Sequence, residues 1–196
     1  IQGIAETIDE DPKQGLSDVT ARLLGQASAR ADGVVQRLVK LTDVTVTTGN
    51  TRLMDAINRM SDITYDALAN VDGSLRIVGE AEITVAMGDA ELSQVLVLLV
   101  ENAIEACDGR PDIVLRVFSE STEAKVEVID HGQGIEVADE EKLFEPFYTT
   151  RLERNASGLG LTVARRFLRL RGGNLGVKSR VNPTCFEIKL TKLNEE

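Results

Sequence analysis

Between Leu53 and Leu190, helix-like and strand-like segments interleave without the strict strand–helix–strand alternation that a doubly wound parallel sheet requires. Leu53–Leu68 reads as a helix and Ser74–Val85 as one or two short strands. Asp89–Cys107 is a strong helix: Asp89 is placed to cap it, and Leu92, Val95, Leu96, Leu99 and Ala103 recur on one apolar face. Ile113–Phe118 and Ala124–Ile129 have strand patterns, the second with Lys125 and Glu127 facing out. A Gly-rich, irregular stretch covers Asp130–Ser157. Leu159–Leu170 is helical and stops at Gly172-Gly173, and Asn174–Val181 with Cys185–Leu190 forms a closing hairpin. This order predicts an α/β fold: a two-layer sandwich of helices on a mixed, mostly antiparallel sheet. Aromatic residues are 4% of the chain and Trp is absent, so the core must be aliphatic.

The N-terminal quarter follows another pattern. Ile1, Ile4, Ala5 and Ile8 share one helical face, and the polar run Asp9–Gly15 reads as a turn. Leu16, Val19, Leu23, Ala27, Ala31, Val34, Leu38 and Leu41 then recur at steps of three and four. An α-helical hairpin is expected over 1–46, ahead of a second domain over 47–196. One hairpin buries little alone, so a homodimer through a four-helix bundle is expected. Val44–Asn50 breaks the helical pattern and reads as a short strand or linker.

The net charge of −10 argues against a nucleic-acid surface. An acidic chain can still bind phosphates, through a Gly-rich loop, a helix N-terminus or a metal ion. Cys107 and Cys185 are the only cysteines, too few for a disulfide framework and in keeping with a reduced, cytoplasmic setting. No run of about 18 apolar residues is present, so no membrane contact is expected of this chain. A start at Ile1 without Met looks like a piece cut from a longer protein, whose other segments could carry a tether.

Four short motifs carry chemistry. Asp130-His131-Gly132-Gln133-Gly134 follows an apolar strand. Its carboxylate can accept from an exocyclic amine, and its glycines let backbone approach a flat ligand. Alone, this pattern is as easily a tight turn. Gly158-Leu159-Gly160-Leu161 opens a helix, where backbone N–H groups can meet phosphates. The polar segment before it, Thr149–Ser157, carries Arg151 and Arg154 and reads as a lid. Glu101-Asn102-Ala103-Ile104-Glu105-Ala106 lies on the Asp89 helix. Asn102 is a poor helix former at the edge of the apolar face, and its amide oxygen suits Mg²⁺. Phe144–Thr150 gathers three of the seven aromatics into five residues, as an anchor for the lid.

Together, ENAIEA, DHGQG, LFEPFYTT and GLGL resemble, in that order, the Asn box, DxGxG, Phe box and GLGL motifs of sensor histidine kinases. These belong to the ATPase superfamily of DNA gyrase, MutL and the large heat-shock chaperone, and the resemblance covers Ser74–Leu190. It implies the Bergerat ATP-binding fold with ATP and Mg²⁺ as cofactors. By the resemblance, Asp130 binds the adenine amine, Ala106 lines the base site, and Gly132 and Gly134 shape it. Asn102 holds Mg²⁺ and acts with Glu101 in catalysis. Gly158, Leu159 and Gly160 meet the phosphates, and Ile135, Thr149, Thr150, Arg151 and Ser157 complete the nucleotide contacts. The hairpin is similar to the end of the family's dimerisation and phosphotransfer domain, whose acceptor histidine lies upstream. His131, the only histidine, sits in the DHGQG slot that varies in the family.

Four positions depart from the family pattern. Leu98 stands where an Asn is usual, Ala156 where a Gly is usual, Arg151 for a Lys, and Arg171 for the His before Gly-Gly. The expected function is transfer of the ATP γ-phosphoryl to a histidine and on to the aspartate of a response-regulator receiver. The alternative is a degenerate, kinase-like adaptor with weak ATP turnover, which Leu98 and Ala156 favour. A serine kinase acting on an anti-anti-sigma factor is a third reading, opposed by the hairpin.

Overall fold

The period-two pattern of the strands puts one apolar row under the helices and one charged row outside. The computed structural model describes residues 49–80, 82–136, 140–150 and 157–193. The hairpin expected over 1–46, and Arg151, Arg154 and Ala156, lie outside the described residues. In chain order the elements are β1 (Thr51–Arg52), α1 (Leu53–Asn70), β2 (Ser74–Gly79), β3 (Thr84–Val85), α2 (Asp89–Ala106), β4 (Asp112–Glu120), β5 (Glu123–Asp130), a 3₁₀ turn (Lys142–Phe144), α3 (Gly160–Leu170), β6 (Asn174–Ser179) and β7 (Thr184–Leu193). Of the strand or linker expected over Val44–Asn50, only Gly49 and Asn50 are described, and they form no strand; the two-residue β1 follows them.

The sheet runs β1-β3-β7-β5-β4-β2, with β6 beside β7. Among the described residues only β2 and β4 pair in parallel; the other pairings are antiparallel. The expected mixed, mostly antiparallel sandwich is therefore the observed one. Ile113, Leu115 and Val117 of β4, Val126 and Val128 of β5, and Ile188 and Leu190 of β7 are buried beneath the helices. Leu53, Ile57 and Met60 of α1, and Ala164 and Leu168 of α3, complete this aliphatic core. Truncating a buried leucine such as Leu99 to alanine costs about 2–5 kcal/mol in such a setting.

α2 is the central helix. Its expected face, Leu92, Val95, Leu96, Leu99 and Ala103, is buried, but so are Val97, Leu98 and Val100. The reason is its position: α1 and α3 both pack against it, so a single apolar stripe does not suffice. Asp89 does not cap α2. The N-cap residue is Gly88, and the Asp89 carboxylate instead takes a 2.6 Å hydrogen bond from Nε of Arg59 on α1. α3 ends in a Schellman turn: Gly173 N–H donates to Leu168 O and Gly172 N–H to Arg169 O, with Gly172 at φ +72°.

The outer face holds one surprise. Glu127 faces away from the helices, as its alternation predicts, yet is only 1% exposed. Arg116 on β4 reaches it at 2.8 Å and Lys178 on β6 pairs with its other oxygen. Lys125 and Lys178 also stand over the Phe118 ring. Long cationic side chains lying across the strands thus bury the carboxylate that they neutralise.

Candidate functional site

The C-terminal end of β5 meets the C-terminal end of α2 at one cavity of about 260 Å³. It is lined by Leu98, Glu101, Asn102, Glu105 and Ala106 from α2, and by Asp130 and Thr184 from neighbouring strands. Gln133, Gly134, Ile135 and Glu136 form one rim; Leu143, Tyr148, Thr149, Thr150, Gly158, Gly160 and Leu161 form the other. Elements separated by many residues along the chain are brought together because α2 and α3 lie on the same sheet face.

Asp130 is the last residue of β5 and is 1% exposed. Its Oδ1 accepts from Gly132 N–H at 2.9 Å, which folds the loop back over the strand end. Gly132 must be glycine: a Cβ there would lie 2.5 Å from the Ala106 carbonyl oxygen. The next residue seals the contact, Gln133 N–H donating to the same carbonyl at 3.0 Å. The Gln133 side chain donates to Asp108 at 2.7 Å. Beyond it, Ile135 N–H donates to Arg180 O at 2.8 Å and ties the loop to the turn between β6 and β7. A slot results, with the buried Asp130 carboxylate at its base.

Thr184 is the residue that the sequence reading missed. It pairs directly with Asp130 across β5 and β7, is 3% exposed, and its Oγ1 has no hydrogen-bond partner among the described residues. A buried hydroxyl without a partner costs about 1–3 kcal/mol, so a ligand group that met it would recover that loss. One signal was available: the inward row of β7 reads Thr184, Phe186, Ile188, Leu190, and the single polar member stands at the cavity end.

The opposite rim is made of loops. Phe147 N–H donates to Gly158 O at 3.0 Å, and a Cβ on Gly158, at φ +65°, would lie 2.5 Å from the Phe147 carbonyl carbon. The two backbones touch, and only glycine permits it. Phe147 itself takes φ +67° and is left 66% exposed, a strained conformation for an aromatic residue. Phe144 is held to α3 from two sides, by Thr162 Oγ1 donating to its carbonyl at 3.1 Å and by the Arg165 guanidinium 4.2 Å from its ring centre. The motif does anchor the segment that leads to Thr149 and Thr150. Ser157 and Leu159 are buried beside the cavity rather than lining it, with Leu159 N–H 3.4 Å from Ser157 Oγ. Gly132 likewise supports the slot from behind. Arg151 lies outside the described residues.

Of the two cysteines, Cys185 is buried at the start of the outer row of β7, and burial pushes its thiol up to about 11. Among the described residues no group of three or more His, Cys, Asp or Glu side chains could hold a metal alone. A hard cation here needs oxygens from its ligand as well, which is how Mg²⁺ is commonly bound alongside phosphates. Asn102, the residue expected to hold it, lines the cavity.

The family described as histidine kinase-, DNA gyrase B- and HSP90-like ATPases matches over residues 88–194, and the chain belongs to it. The two-component sensor PprA of Pseudomonas aeruginosa is 28% identical over 189 residues, 85% of this chain and 20% of that protein. The catalytic domain of the histidine kinase ThkA is 25% identical with a TM-score of 0.67, over 74% of this chain and 98% of that one. A structure of ThkA in complex with the response regulator TrrA shares the fold over 95% of this chain and 53% of that one, at 20% identity and a TM-score of 0.68. The chain spans about a fifth of the length of the curated relative PprA. No helix among the described residues is long and apolar enough to cross a membrane.

Proposed function

We propose that this chain is the ATP-binding catalytic part of a two-component sensor kinase, and that it uses ATP with Mg²⁺ to phosphorylate a histidine. The observation that carries the reading is the pairing of buried Asp130 with the partnerless hydroxyl of Thr184 at the base of a slot whose far rim is the Gly158–Gly160 helix start. The Asp130 carboxylate accepts from the adenine amine, and Thr184 bonds the same edge of the base. Ala106, Gly134 and Ile135 line the ring. At the other rim, backbone N–H groups at the start of α3 face the phosphates. The Asn102 amide oxygen would hold Mg²⁺, which would supply charge neutralisation for the transferring group.

The residues of the chain then do three things. They orient the γ-phosphoryl in line with the acceptor, exclude water at the slot, and offer the Glu101 carboxylate to receive the imidazole proton. The acceptor is a histidine outside these 196 residues, because His131, the only one present, is exposed and does not line the cavity, its Nδ1 lying 3.5 Å from the Asp112 carbonyl. The ThkA–TrrA complex supports a receiver domain as the next phosphoryl acceptor, and the sequence pattern of 1–46 supports a homodimer. Use of ATP and of a receiver partner supports a cytoplasmic location for this part. Leu98, an apolar residue at the cavity wall, favours the second reading of a weak or degenerate kinase.

Calorimetry with a non-hydrolysable ATP analogue tests this. Micromolar binding that requires Mg²⁺ and is lost in Asn102→Ala is expected. Binding by Asn102→Ala equal to native, or none by the native chain, sinks the reading.

A further inference from the structure

α2 and α3 run antiparallel across the core, and the cavity lies at one end of the pair. There Asn102 and Ala106 of α2 face Gly160 and Leu161 of α3. At the other end stands a side-chain contact that takes no part in the cavity. Arg171, the residue just after α3, donates from Nε to Glu91 Oε2 at 3.0 Å and from Nη2 to Oε1 at 2.9 Å. Glu91 lies in the first turn of α2 and is 2% exposed, and the Arg171 side chain is 19% exposed. Hydrogen bonding to Glu91 raises the guanidinium above its ordinary value.

The two arms are of equal length. Glu91 precedes Asn102 by eleven residues on α2, and Gly160 precedes Arg171 by eleven on α3. At 1.5 Å per residue each arm is about 16 Å long. A planar, two-point bond at one end of two stiff rods sets both their separation and their axial register at the other. A lysine in place of Arg171 would hold only a point contact. The base slot, in contrast, stands on β5, β7 and the end of α2, none of which involves α3.

We propose that Arg171 and Glu91 are positioning residues that hold the phosphate rim on α3 at its working distance from Asn102 on α2, and so set how strongly the site prefers a Mg²⁺-bound triphosphate over a bare nucleoside. The proposal rests on the nucleotide reading above. It separates the affinity of the site into a base part that the pair does not touch and a phosphate part that it controls.

Two probes separate those parts: adenosine, and ATP analogue with Mg²⁺, titrated by calorimetry into the same chain. In Glu91→Gln, which keeps shape and removes the charge, triphosphate affinity is expected to fall about tenfold while adenosine affinity stays within about twofold, the size of remote coupling through packed elements. Arg171→Lys is the gentler variant and keeps the chain folded if Glu91→Gln does not; it is expected to show an intermediate loss for the triphosphate alone. The double reversal Glu91→Arg with Arg171→Glu is expected to regain part of the native ratio. An equal loss for both probes, or a lowered melting temperature with an unchanged ratio, makes the pair a stability contact only and overturns the proposal. If the native chain binds neither probe, the nucleotide reading fails and takes this proposal with it. Native binding with an unmoved ratio refutes the positioning role alone.

Discussion

The proposed base end of the cavity and its proposed phosphate end are built from different material. At the base end, Asp130 and Thr184 are neighbours in a continuous ladder, and the loop after β5 is tied to α2 through the Ala106 carbonyl. Backbone bonds across three elements fix each group. At the phosphate end, the positions depend on loops: a glycine at φ +65° lies against a strained Phe147, and the contacts to α3 are a hydroxyl and a ring stack. The proposed base end is therefore fixed by backbone bonds, whereas the proposed phosphate end rests on loop contacts and a few side chains. Regions held by few cooperative contacts are those that open first.

The largest expected effect breaks the base end. Asp130→Asn retains an acceptor for Gly132 N–H but removes the charge and one acceptor. Adenosine and ATP affinity are expected to fall together by about 100-fold, in line with about 1.5–3 kcal/mol for a charged hydrogen bond. A loss confined to the triphosphate would contradict the assignment of the two ends.

The two glycines sharpen the same contrast. Gly132→Ala drives a methyl into the Ala106 carbonyl and is expected to weaken both ligands and lower stability by about 1–3 kcal/mol. Gly158→Ala strains the Phe147 contact instead, with a similar stability cost of about 1–3 kcal/mol, but only the triphosphate should suffer. Equal ligand profiles for the two variants would erase the distinction.

Thr184→Val should move stability and binding in opposite directions. Removing a buried hydroxyl that has no partner is expected to raise unfolding free energy by up to about 1 kcal/mol in urea titrations. Adenosine affinity should fall about fivefold, the worth of about one neutral hydrogen bond. A loss of both would mean that the hydroxyl bonds within the protein.

The smallest effects lie on the outer surface. Burial holds the Cys185 thiol protonated far above neutral pH, so iodoacetamide at pH 8 should label Cys107 first in the folded chain. At the sheet edge, hydrogen bonds from Ser74 and then Arg76 hold the Asp112 carboxyl below its usual range. Its contribution is present above the ordinary carboxylate range and fades as pH falls through the lowered value, so Asp112→Asn should flatten the acid limb of a stability–pH curve slightly. An unchanged limb would show the bond between β2 and β4 to be neutral.

The elements, the aliphatic core and the four motifs were determined by the sequence alone, because each depends on residues close together in the chain. The alternation of β4 and β5, the 3.6-residue stripe of α2 and the Gly172-Gly173 stop are local patterns read without neighbours. Only the tertiary structure decided which distant residues meet. It buried the outward-facing Glu127 under cations from two other strands, and took Asp89 from a cap to an ion pair with Arg59 thirty residues away. It set Thr184 beside Asp130 at the base of the slot. It also matched Arg171, a departure from the family pattern, to Glu91 across 80 residues. Such pairings follow from sheet register and helix packing, whose free energy is spread over the whole core and is not carried by any one segment.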